Sequence, residues 1–561
     1  MRATGPRTAI TCLLLASAAC GPPSGPPDLV LVGGRVFTAD TARPWAEAVA
    51  IRGDRIAAVG RDAEVRRLAG PDTRVLDLGG RVVVPGLTDA HVHPRPSAPG
   101  RRLAFEAAPV PNPSRDELAA RLRGAVAEAG PGEWVEGEIG EAVLDDSAVD
   151  RDWLDRLAPR HPVQLSHYAG HGLILNSAAL RELGITEETR DPPGGSWGRA
   201  PDTGRLDGRA YEYAIWNEWA SRLREVPTDT AAAAFRAFGE RAARWGITSA
   251  HTMGTFLPLG RLLEALAAAD APIRFTIYRL HLPRRDVAEA WEAPVPEPAS
   301  SRIRVAGMKW ILDGAPPDRG AALRDPYADR PGWRGRVDFP PEDIRRILAR
   351  ALESDERLAL HISGDSTAAL VLRLMRKMAP AERWRAERVR FEHGDGLAPD
   401  LLPLADSLGV VLVQNPLHLA SPVVPARYGP ERMGQAQPLR SALAAGIPLA
   451  LGSDEAGGPA ENPWLNVLMA VTDPNRPSEA LTREQAILAY TRGGAFAEGR
   501  EAERGTIAPG MLADLAVLSA DPFEVPAPQL PGVESILTLV GGQGVWDAGV
   551  LGPVARPAVG Q

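Results

Sequence analysis

The chain has 561 residues, of which 44% are hydrophobic and 24% charged, and a formal net charge of -8. That is an ordinary globular composition with an acidic balance, which gives no reason to expect nucleic acid as a partner. No internal stretch approaches the ~18 consecutive apolar residues of a membrane-spanning helix.

The first twenty residues differ from the rest. Arg2 and Arg7 make a basic start, Thr8 to Ala19 is a short apolar run, and small residues precede Cys20. This is the pattern of a secretory signal rather than a fold element. The ending Leu15-Ala-Ser-Ala-Ala-Cys20 resembles a bacterial lipoprotein signal, which implies a lipid anchor on Cys20 and a periplasmic or cell-envelope location. Ser17 stands where that signal usually has leucine, and ordinary cleavage within Ala16–Ala19 is the alternative. Residues 21–27 then form a Pro/Gly tether. Cys12 and Cys20 are the only cysteines, so the body of the chain has no thiolate for metal binding or attack.

Residues 28–84 alternate short apolar runs with Gly33-Gly34 and Gly53-Asp54 turns, a hairpin texture. It returns at Gly505–Ile507, Asp514–Leu518 and Ser535–Val540. Both ends are therefore expected to build one small β-sandwich, with 28–84 and 501–550 as its parts and 551–561 as a tail. Between them, strands alternate with helical stretches, which predicts an α/β fold with a (β/α)8 TIM-type barrel over 85–500. The strands expected are Val82–Asp89, Ile247–His251, Ile273–His281, Ile303–Leu312, Leu358–Ile362, Val389–Glu392, Val410–Gln414 and Leu449–Gly452. Helices are expected at Thr230–Trp245, Pro258–Ala269, Pro341–Ser354 and Ser441–Ala445. Val163–His167 is a ninth candidate strand, inside a stretch, 101–235, too long for one barrel connection. That stretch reads as an inserted lid over the barrel mouth.

Polar residues gather where the barrel strands end. The first ends in Asp89-Ala-His91-Val-His93, and residues i and i+2 of a strand face one side, so both imidazoles can grip one cation. The fifth strand ends at His361, the sixth at His393 and the eighth at Asp454, while the fourth carries Lys309. Among 63 basic residues only Lys309 and Lys377 are lysine. A lysine inside the apolar run Ile303–Leu312 is a candidate for chemistry arginine cannot perform, such as carbamate formation with CO2, whereas Lys377 reads as a helical surface charge. In a barrel all strand C-termini open on one face, where active sites lie.

These segments resemble the metal-dependent amidohydrolase superfamily, in the branch that contains N-substituted formamide deformylases. The resemblance is carried by Pro85-Gly-Leu-Thr-Asp-Ala-His-Val-His93, Gly246-Ile-Thr-Ser, Met308-Lys309 with Asp313-Gly314, His361-Ile-Ser-Gly-Asp365 and Phe391-Glu-His393. It continues through Pro438-Leu-Arg-Ser441, Leu451-Gly-Ser-Asp454 and Gly505–Leu518. It implies that His91 and His93 hold one divalent ion, with Asp454 as a further ligand. It also implies that His361 and His393 hold a second, bridged by a carboxylated Lys309. A carbamate has two oxygens able to span ions ~3.5–4 Å apart, and such a pair acidifies a bridging water. Zinc is the metal expected. Asp454 would take a proton from that water and pass it to the leaving amine, and His171 would hydrogen-bond the substrate or its oxyanion. With an unmodified Lys309 the site would instead hold one ion on His91, His93, His361 and Asp454.

Asp89 reads as a residue that orients a ligand, and Asn176 as the cap of the following helix. His167, Glu212, His251, His281 and Gln414 could line the pocket, with packing or hydrogen bonding as their expected role. The run Gly452-Ser-Asp-Glu-Ala-Gly-Gly458 departs from the branch, which often has Gly-Ser-Asp-Trp-Pro, so Glu455 makes that wall acidic and open. The reaction expected is hydrolysis of a C–N bond in a small non-peptide amide. A deaminase or lactone/ester hydrolase on the same scaffold, and a catalytically dead surface-tethered binding protein, are the alternatives.

Overall fold

The computed structural model describes residues 25–105, 111–292, 294–455 and 458–552. The segment expected to be a signal, with Cys12 and Cys20, and nearly all of the 551–561 stretch lie outside the described residues.

Eight strands form one parallel sheet in the order of the chain: Leu87–Val92, Ile247–Met253, Arg274–Leu280, Ile303–Ile311, Arg357–Ile362, Arg390–His393, Val411–Gln414 and Leu449–Leu451. Every neighbouring pair is parallel. Nearly every residue in them is buried, as expected of strands covered on both faces. The last strand returns to the first through short backbone bonds, Asp454 N–H to His91 O (2.7 Å) and His93 N–H to Glu455 O (2.9 Å). Gly452 makes that seam possible, because a Cβ there would stand 2.3 Å from the His91 nitrogen. The result is a (β/α)8 barrel of the TIM type. Helices sheathe it with one apolar stripe each. Pro341–Glu353 buries Ile344, Ile347, Leu348 and Ala351, the spacing of one helix face.

The first barrel strand differs from the sequence reading. Val82–Asp89 is not one strand, because the chain breaks at Pro85-Gly86. Val82–Pro85 pairs with Arg35–Phe37 and antiparallel with Leu515–Leu518, outside the barrel. The barrel strand begins at Leu87. Gly86 turns between them packed so tightly on Thr248 that a Cβ would meet its Oγ1 at 2.2 Å.

The terminal segments form two sheets. One holds only N-terminal strands, in the order Arg55–Gly60, Ala48–Arg52, Leu29–Val32, Arg74–Asp77. The other places Leu515–Leu518, Ser535–Val540 and Gln543–Asp547 beside Val82–Pro85, Arg35–Phe37 and Trp45–Ala46. Leu31, Val49 and Ile51 of the first share a core with Val83, Leu515 and Leu537 of the second. Gly505–Ile507 is not a strand. Ile507 is fixed by one backbone bond to Thr38 O (2.8 Å) and by its buried side chain.

Between the first barrel strand and the helix Thr228–Arg244 the chain builds a separate six-stranded sheet. Val163–His167 lies at its centre, parallel to Val135–Ile139 and antiparallel to Gly172–Leu175, and has no place in the barrel. Asn176 caps the helix Ser177–Glu182. Its side chain accepts from Ala179 N–H and Val163 N–H and donates to the carbonyls of Ala158 and His161.

Candidate metal centre

His91 and His93 meet across the C-terminal end of the first strand with their Nε2 atoms 3.3 Å apart. Each ring is oriented from behind. His91 Nδ1–H donates to Glu392 Oε2 at 2.6 Å, and His93 Nδ1–H donates to Gly254 O at 3.2 Å. A carboxylate and a carbonyl only accept, so each ring carries its proton on Nδ1 and turns Nε2 forward. Asp454 Oδ1 stands 3.2 Å from one Nε2 and 2.9 Å from the other. Two ring nitrogens and a carboxylate oxygen thus face one point. Ligands held tetrahedrally at ~2.0–2.1 Å lie about 3.3 Å from one another, so the donor set fits a zinc-like cation.

Asp454 Oδ2 turns the other way, 3.4 Å from His418 Nε2 and 3.7 Å from His393 Nδ1. His393 Nδ1 is also 2.8 Å from Asn415 Oδ1, and its ring stacks on His418. His393, His418 and Asp454 form a second group whose atoms could share an ion. His361 lies against His393 with ring centroids 4.3 Å apart, and its Nε2 is 3.2 Å from Ser363 Oγ. Burial, first, pushes both His361 and His393 well below the usual imidazole range; neighbouring positive charges add to it and Asp454 opposes it. Asp454 is held well below the carboxylate range; burial opposes this, but His91 and His393 outweigh it.

Lys309 is 2% exposed on the strand between those of Leu280 and His361. Burial lowers its amine to about 8, against the pull of Glu392 and Asp454. Its charge in turn acts on His361, His393 and His93.

His171 enters from the inserted sheet. Its ring is 5.0 Å from that of His361, and its Nδ1 is 2.8 Å from Glu212 Oε2. Burial works against a proton on this ring, but Glu212 raises it to about 9, so His171 is an imidazolium at neutral pH. The backbone is strained around the centre. Glu212 (φ 54°), His393 (φ 66°) and Asp454 (φ 58°) all occupy positive φ, which non-glycine residues rarely adopt.

The remaining sequence candidates take supporting places. Asp89 accepts from Ser453 N–H and Oγ–H and from His91 N–H, bracing both ends of the seam. His167 Nδ1 accepts from Ala169 N–H, and its Nε2 is buried with no hydrogen-bond partner among the described residues, as is that of His281. Gln414 Nε2–H donates to Asp395. His251 lies in the barrel interior, away from a wall position, between Arg390 (3.1 Å) and Glu498 (3.3 Å).

Three residues escape the sequence reading. Glu392 and Arg390 form a fully buried pair at 2.7 Å behind His91. Their signal is a charged i, i+2 pair on an otherwise apolar strand. His418 sits on the short 3-10 turn Pro416–Ala420, four residues past Gln414, with no strand periodicity to mark it.

Residues 74–546 match the model of the amidohydrolase family. The chain is 30% identical over 546 residues to an N-substituted formamide deformylase of Arthrobacter pascens, covering 92% of this chain and 97% of that one. It is 28% identical over 539 residues to the protein LONG AFTER FAR-RED 3 of Arabidopsis thaliana, covering 90% and 89%. An uncharacterized metal-dependent hydrolase from Pyrococcus horikoshii OT3 superposes with a TM-score of 0.66 at 20% identity, over 89% of this chain and 99% of that one, a likeness of fold. With a family match that runs from residue 74 to 546 and takes in the whole barrel and the clustered histidines, this chain belongs to the amidohydrolase family and is a metal-dependent hydrolase.

Proposed function

We propose that the chain hydrolyses the C–N bond of a small non-peptide amide of the N-substituted formamide kind. The observation that carries this is Asp454, whose two oxygens face His91 and His93 on one side and His393 and His418 on the other. One carboxylate is thereby placed to serve both a cation and a travelling proton. The full-length relative named as an N-substituted formamide deformylase supports the substrate class.

In this reading His91, His93 and Asp454 hold one divalent ion, most simply zinc. His361 and His393 would hold a second, with Lys309, if carboxylated, as an anionic ligand beside them. A bound ion supplies Lewis acidity and lowers the pKa of water towards neutrality. Asp454 Oδ2 accepts a proton from the attacking water and returns it to the leaving nitrogen. His171, kept protonated by Glu212, donates from Nε2 to the carbonyl oxygen as charge develops there. Glu392 and the Gly254 carbonyl hold the two imidazoles in the tautomer that leaves Nε2 unprotonated.

The test is amine release from N-alkyl and N-aryl formamides by zinc-loaded protein, run beside lactones and aminopurines. Formamide turnover, absent from Asp454→Asn, is the expected result. Turnover of lactones or aminopurines with none of any amide would overturn the assignment. Intact mass spectrometry of protein prepared with and without bicarbonate reads the carbamate on Lys309.

A further inference from the structure

Arg95 lies two residues beyond His93, and Phe256 two residues beyond Gly254. The bond from His93 Nδ1 to Gly254 O joins these two loops at the metal centre, so both side chains stand one step outward from it. Trp219, on the helix Tyr213–Leu223 of the inserted region, closes the group from above. The Arg95 guanidinium is 4.7 Å from the Trp219 ring and 5.6 Å from that of Phe256, and the two rings meet edge-on at 5.2 Å. All three side chains are only partly buried, so each keeps an open edge. Phe256 is held at φ 61°, a strained conformation that fixes its ring here.

The polar edge of Arg95 is the notable part. Burial, first, and Arg102 lower its guanidinium to about 10, against the pull of Glu136, Glu455 and Glu138. Yet among the described residues it forms no ion pair and no hydrogen bond. Other arginines of this region are engaged: Arg222 pairs with Glu136, and Arg101 with Glu128. Aromatic stacking occupies the face of a guanidinium and leaves its in-plane N–H fork outward, the geometry that takes a carboxylate with two parallel bonds.

We propose that Arg95 is the carboxylate-binding residue of the substrate pocket, so that the preferred amides carry an anionic group on the side away from the metal centre. This names a substrate class within the amide-hydrolase reading and rests on it. The Trp219 and Phe256 rings form the apolar walls beside that fork, so an aryl or short alkyl spacer between amide and carboxylate suits the pocket.

The experiment compares two probes alike except in charge, para-formamidobenzoate and para-formamidobenzamide. Zinc-loaded wild-type protein is expected to favour the acid at least tenfold in kcat/KM, chiefly through KM. Arg95→Met is expected to remove about tenfold or more of that preference, the range for a hydrogen-bonded charge. Arg95→Lys, which keeps the cation over the rings but loses the fork, is expected to fall between. A purely structural role would lower both probes alike and leave the ratio unmoved, which would overturn the proposal. Calorimetry with para-aminobenzoate and para-aminobenzamide gives a readout free of turnover. Preference for the acid in binding, lost in Arg95→Met, with no amide hydrolysed, would uphold Arg95 and sink the amide reading. Equal binding of acid and amide by the wild type would sink Arg95 whatever the turnover.

Discussion

Two carboxylates near the centre differ in what faces them, and their tasks follow. Glu392 sees Arg390 and His91, is held ionised against strong burial, and fixes a ring. Replacing it with glutamine keeps a hydrogen-bond acceptor but weakens the hold on His91. Metal affinity is expected to fall by roughly 10- to 100-fold, measured by competition with a chromogenic chelator. Glu212 sees the ring of His171 and raises it to about 9. The protonated ring is the donor, so kcat/KM is expected to hold below that pH and decline as pH rises through it. Glu212→Gln should move this alkaline limb to lower pH, and a pH–rate profile of the two proteins reads the shift. At this scale the candidate ligands His91, His93, His361, His393 and Asp454 stand out in the chain, because each lies at or just past the end of an apolar strand, where imidazole or carboxylate is conspicuous. Glu392 and Arg390 were not, since their meaning depends on a partner, His91, that only the closed barrel brings beside them.

Elements were legible where apolar runs are continuous and bounded. The later seven barrel strands follow their sequence ranges within a few residues, for that reason. The first did not, because Val82–Val92 is apolar on both sides of Pro85-Gly86 and the bend there rests on contact with Thr248. Val163–His167 illustrates the complementary limit, since an apolar run gives a strand but not the sheet it joins. Helix Tyr213–Leu223 carries an unusual passenger. Glu218 is 6% exposed, and burial raises its carboxyl to about 8, against a weaker pull from Arg284. Between the unfolded value near 4.5 and about 8 the folded chain holds a proton that the unfolded chain has lost. Stability should therefore fall as pH rises across that window. Glu218→Gln is expected to flatten the slope and to be more stable than wild type by a few kcal/mol above pH ~8, read from denaturant melts at several pH values. Asn176→Ala removes a cap and leaves the Ala158 and His161 carbonyls short of a donor, for an expected loss of about 2–3 kcal/mol.

At the scale of the whole molecule the metal centre sits on the barrel's seam. His91 and His93 come from its first strand and Asp454 from just after its last, so the ligands assemble only when the cylinder shuts. Gly452→Ala would drive a Cβ into the His91 backbone. It is expected to lower the thermal midpoint and bound metal together, whereas a substitution at Asp454 should deplete metal with a smaller change in the melting of the apoprotein. Calorimetry with parallel elemental analysis separates the two. The shared terminal sheet has a consequence during synthesis. Val82–Pro85 emerges from the ribosome early, yet one of its flanking strands, Leu515–Leu518, is among the last made. At ~5–20 residues per second, a sticky apolar edge waits tens of seconds for its neighbour, and the first barrel strand waits almost as long for Leu449–Leu451. Nascent chains stalled before Leu515 should therefore be captured by holdase chaperones and clump when released, while chains stalled beyond Asp547 should not.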